Sequence, residues 1–128
     1  MYELLSQTHK GLAMLSVLLT LGWVSIVLTA PRIAGELGGP RKLVYTGAMA
    51  MTGLTGLSGL VLVVVAQGTW LKLIFPWLGL IAVAGHGFSG TSSRRALVAG
   101  SKMPALVAAS LQLLFLITAY GLMTLKPF

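Results

Sequence analysis

Cysteine and aspartate are missing from this chain, and the only carboxylate side chains are Glu3 and Glu36. Without cysteine there is no disulfide, thiolate metal site, thiol nucleophile or iron–sulfur cluster. Two carboxylates far apart in sequence argue against paired-carboxylate catalysis and against a carboxylate-rich cage for a divalent cation. Charge is scarce altogether: 9% of residues are charged, against roughly 25% in an average soluble domain. So few charges cannot cover a soluble fold of 128 residues. In lipid the requirement disappears, because the outer surface must then be apolar.

What the chain has in abundance is hydrophobic sequence, at 56% of residues with a mean hydropathy of +0.93. Four uncharged runs stand out, at 11–31, 43–71, 73–93 and 103–125. Each is long enough to cross ~30 Å of hydrocarbon at ~1.5 Å rise per residue. None alternates with the period of two that a barrel strand requires, so the expected elements are helices. The sequence predicts one all-α transmembrane domain over 1–128, an up-and-down four-helix bundle with helices at about 5–29, 43–67, 70–90 and 104–125. Pro76 is expected to kink the third helix, and Pro104 suits a first turn. Glu3 and a single base, Lys10, precede the first run, and Pro31 follows directly on Ala30. That pattern reads as a retained helix rather than a cleaved signal.

Bases sort by side. The loops 31–42 and 91–102 hold six (Arg32, Arg41, Lys42, Arg94, Arg95 and Lys102), and the opposite side holds three (Lys10, Lys72 and Lys126). The excess places both loops in the cytoplasm and both termini outside. The net charge of +7 thus belongs to membrane topology and not to nucleic-acid binding. The second helix is rich in small residues, with Gly47, Gly53, Gly56 and Gly59 as expected packing positions. Thr52/Gly56 and Thr55/Gly59 have the four-residue spacing that lets helices approach closely. The alternative use of that face is a groove for a flat cofactor, a lipid or a partner helix.

Polar groups inside apolar runs are the remaining candidates for chemistry, since each needs a partner in lipid. His9 near the start of the first helix shares its level with Gln67 and Tyr120. One face there reads His9, Ala13, Ser16, Thr20 and is expected to turn inward. His86, flanked by Gly85 and Gly87, lies near the levels of Trp23, Tyr45 and Gln112. The two histidines are expected near opposite faces, about 20 Å apart by helical rise, which argues against one haem held between them. Candidate cofactor-binding residues are therefore His9, His86, Tyr45, Gln112 and Tyr120, with haem b or a quinone as the group they would hold. The bland reading of either histidine is an interhelical hydrogen bond, or an interfacial ring reaching lipid headgroups. No metal site and no catalytic residue is read from the sequence.

The stretch from Tyr2 to His9 leading into LAMLSVLLTL, TGLSGLVLV in the second helix, FPWL opening the third and the tail ITAYGLMTLKPF together resemble the SirB family of small four-helix bacterial membrane proteins. His9 fits that family's first-helix histidine. The family's polar positions early in helices two and three are replaced here by the segments 44–47 and 79–80. The resemblance implies a multi-pass protein of the bacterial inner (cell) membrane with no established catalytic activity. Three functions are carried forward. The first is a non-catalytic accessory or assembly subunit, with partner subunits or a homo-oligomer in the lipid bilayer. The second is a haem- or quinone-associated redox subunit, and the third an oligomeric small transporter or channel.

Overall fold

The computed structural model describes residues 2–30, 37–66 and 69–125. It is all-helical: α1 (Tyr2–Thr29), α2 (Gly39–Val65), α3 (Phe75–Val98) and α4 (Lys102–Leu125), with a single 3-10 turn at Thr69–Lys72 ahead of α3. Three segments, Tyr2–Thr29, Gly39–Val65 and Lys102–Leu122, are long and apolar enough to cross a membrane.

Helix ends follow local chemistry. Gly38 caps α2 in an extended conformation and Pro40 sits in the first turn, where a missing N–H leaves no hydrogen bond unmade. Arg41 and Lys42 therefore belong to the helix and not to the preceding loop, whose positions 31–36 lie outside the described residues. The third helix differs most from expectation. Pro76 does not kink it but starts it, at N1/N2. The helix then continues through Arg94 and Arg95 to Val98, a stretch whose serines and arginines read as loop. Cations in a last turn are favoured by the helix dipole, so Arg95 suits its place.

The real stop is Gly100, at φ +78°. Its N–H donates to the Leu97 carbonyl at 3.1 Å, and the Ser101 N–H donates to the Ala96 carbonyl at 2.8 Å. This paired arrangement needs a left-handed residue, which glycine adopts without penalty. Gly100→Ala is expected to lower stability by about 1 kcal/mol, read as a lower thermal midpoint in mild detergent followed by far-UV circular dichroism.

Neighbouring helices run antiparallel, and the packing pairs give the register. Gly22 faces Val44, Gly47 faces Leu19 and Gly59 faces His9 between α1 and α2. Gly56 meets Val83 between α2 and α3, while Gly85 meets Phe115 between α3 and α4. On the fourth side the Lys102 ammonium of α4 donates to the Ala30 carbonyl at the end of α1, capping that helix with a cation. The four helices close a ring in chain order. One end is filled by an apolar cluster containing Trp23, Val27, Tyr45, Leu97, Ala105 and Ala109. Toward the other end Leu62, Val63, Phe75, Ala82 and Leu116 are buried.

Candidate functional site

Between these apolar ends lies a layer of buried polar side chains. Ser16 is halfway along α1, Thr52 halfway along α2, His86 halfway along α3, and Gln112 just short of halfway along α4. Ser16, Thr20, Thr52, His86, Ser89, Ser93 and Gln112 are all buried. Each helix thus contributes to one polar node on the bundle axis. His86, expected near a membrane face, sits at mid-height because α3 starts at Phe75 and ends at Val98.

His86 is the hub. Its Nε2 lies 2.9 Å from the Thr20 hydroxyl, 3.4 Å from the Thr52 hydroxyl and 3.4 Å from Nε2 of Gln112. The Thr52 hydroxyl also pairs with that of Ser16, and the Gln112 amide reaches the Met49 sulfur at 3.9 Å. One layer along, the Trp23 indole N–H donates to the Ser93 hydroxyl at 2.9 Å, which donates to the Gly90 carbonyl at 2.7 Å. Thr20–His86 and Trp23–Ser93 both join α1 to α3 across the diagonal of the ring. Glycine makes this closeness possible at Gly90, where a Cβ would stand 2.6 Å from the Met49 sulfur and 2.8 Å from the Gln112 amide nitrogen.

Outward-facing hydroxyls behave differently. Thr8, Ser25, Thr29, Thr118 and Thr124 each donate to a carbonyl one turn back in their own helix, satisfying themselves locally. The inward hydroxyls of Ser16, Thr20 and Thr52 reach other helices instead. The node is still incomplete: Nδ1 of His86 and Oε1 of Gln112 are buried without a hydrogen-bond partner among the described residues. Each such group costs about 1–3 kcal/mol if left unmet.

The candidate residues separate. His86 and Gln112 are in contact, and both are fully buried, at 1% and 0% exposure. Tyr45 belongs to the adjacent layer, where its ring packs edge-on against Trp23 with centroids 4.9 Å apart. Arg94 lies over its ring, 5.2 Å from the centroid. His9 is half-buried and pairs through Nδ1 with the Ser58 hydroxyl at 2.7 Å. Tyr120, expected beside it, is 66% exposed on the outer surface of α4, and Gln67 lies outside the described residues. His9 and Thr20, the partner of His86, are eleven residues apart on α1, or about 16 Å by helical rise. The two rings therefore do not share a site.

Of the packing glycines, Gly47, Gly56 and Gly59 are used inside the bundle, against Leu19, Val83 and His9, while Gly53 faces open space. Sequence reasoning weighed Thr52 as a small packing residue and overlooked Ser89 and Ser93. Those two share the face of His86 at spacings of three and seven, a periodicity that could have revealed them. Among the described residues no three His, Cys, Asp or Glu side chains gather to hold a metal ion. Comparison with protein-family models, with curated proteins and with solved structures finds no match to this chain.

Proposed function

We propose that this chain is a four-pass protein of the bacterial inner membrane, resembling the SirB family, that acts as a non-catalytic accessory or assembly subunit of a larger membrane complex. One observation carries the reading. Gly47, Gly56 and Gly59 of α2 are met by the chain's own Leu19, Val83 and His9, whereas Leu18, Leu28, Leu57, Val64, Phe88 and Ile117 point outward. The surface available for work is therefore the apolar exterior, where lipid and partner helices bind. α3 is taken as the fourth crossing because its 24 residues equal α4 in length and it completes the ring. The charge excess favours termini outside and the connections read as 31–42 and 91–102 in the cytoplasm, both now shorter because α2 starts at Gly39 and α3 ends at Val98.

Purification from native membranes in mild detergent, with mass spectrometry of what accompanies the chain, tests this. A stoichiometric membrane-protein partner is expected; a stable, cofactor-free monomer would count decisively against it. A second reading, a haem- or quinone-associated redox subunit, has one observation in its favour, the unmet ring nitrogen of His86. Ligation through Nε2 would displace Thr20. An absorption spectrum and solvent extraction of the same sample separate the two readings: a Soret band or an extracted quinone supports the second.

A further inference from the structure

We infer that the centre of the bundle is a binding site for water, held by the second ring nitrogen of His86 and the far end of the Gln112 amide. Among the described residues these are the two buried side-chain polar atoms without a hydrogen-bond partner, and they belong to side chains whose Nε2 atoms are 3.4 Å apart. Neither the choice of tautomer nor an amide flip removes them. If His86 carries its proton on Nε2, the Nδ1 lone pair is unmet; if on Nδ1, an N–H is unmet. Turning the Gln112 amide over exchanges an unmet acceptor for an unmet donor at the same place. Under either choice, two buried hydrogen-bonding positions remain open.

The chemistry of the guest follows. The polarity of each position changes with tautomer and amide orientation, so the guest must donate and accept equally well. It must also be neutral: the groups around His86 are the Thr20 hydroxyl of α1, the Thr52 hydroxyl of α2 and the Gln112 amide of α4, none of them charged. A quinone carbonyl only accepts. Water satisfies both conditions, and buried water characteristically makes two to four hydrogen bonds of this kind. Trp23, Val27 and Leu97 on one side and Ala82 and Leu116 on the other are buried, which separates the site from both ends of the bundle.

The test uses the full chain, isotope-labelled and reconstituted in lipid nanodiscs, with magnetisation transferred from water to protein by NMR. The sequence has two histidines, so His9→Gln assigns the His86 ring. Transfer is expected at the His86 ring and the Gln112 side-chain amide. None is expected at the Trp23 indole, equally buried but satisfied by Ser93. In Gln112→Leu the transfer to His86 should be lost or strongly reduced with the helical spectrum unchanged. His86 and Gln112 as dry as Trp23 would overturn the assignment. So would contacts from a non-water molecule to the His86 ring, which would identify an organic ligand instead. Neither result depends on whether the chain has protein partners.

Discussion

Trp23→Ala is expected to be the most damaging single substitution, lowering stability by about 3 kcal/mol. Trp23 is completely buried, its N–H reaches Ser93, and its ring packs on Tyr45. On the proposed membrane reading the transfer contribution of a buried side chain fades, because lipid is as apolar as the core. The void does not fade: roughly 140 Å³ removed, at about 24 cal/mol per Å³, gives the estimate. Trp23→Phe loses one hydrogen bond and a smaller volume, and should cost about 1–2 kcal/mol. Reversible unfolding in mixed micelles would rank them. Equal losses for the two variants would show that the indole N–H, and not packing, holds this layer.

The second large effect is a reversal. His86→Phe is expected to cost about 1–3 kcal/mol, and adding Gln112→Leu should return most of that loss. The asymmetry comes from what each partner can do afterwards. Thr20 and Thr52 can turn their hydroxyls back to their own helices, as Thr8 and Ser25 already do. The Gln112 amide nitrogen has no such retreat, and among the described side chains it keeps the distant Met49 sulfur alone. Removing both partners of a buried polar contact is milder than removing one. A double-mutant cycle measures this directly, and a double variant weaker than the single would contradict it.

Much of the bundle was legible because apolar runs and the inward face His9, Ala13, Ser16, Thr20 obey simple periods. Ser16 and Thr20 are indeed buried. The third helix was not legible in the same way. A proline inside an apolar run is compatible with a kink or a start, and the 3-10 turn at Thr69–Lys72 that decides for a start leaves little signature in composition. Arg94 and Arg95 mark a helix end as readily as a loop; the discriminating residue was Gly100, five positions further on. That shift of frame moves His86 from a face to mid-height. Near helix ends, small errors in rotational phase separate neighbours, which is why His9 meets Ser58 while Tyr120 turns outward.

The distribution of the polar layer between the two hairpins also bears on the order of biosynthesis. The hydroxyls grouped with His86, those of Thr20 and Thr52 with Ser16 beside them, lie on α1 and α2, whereas the amide and the imidazole, Gln112 and His86, lie on α4 and α3. A hydroxyl in a lone helix can satisfy itself against its own backbone, so on the proposed four-pass reading the first hairpin can stand in the bilayer unaccompanied. An amide or imidazole cannot. Since the ribosome delivers the chain from its N-terminus, the demanding pair emerges only after its hydroxyl partners, so a four-pass protein of this design would not leave His86 in lipid with nothing to receive it.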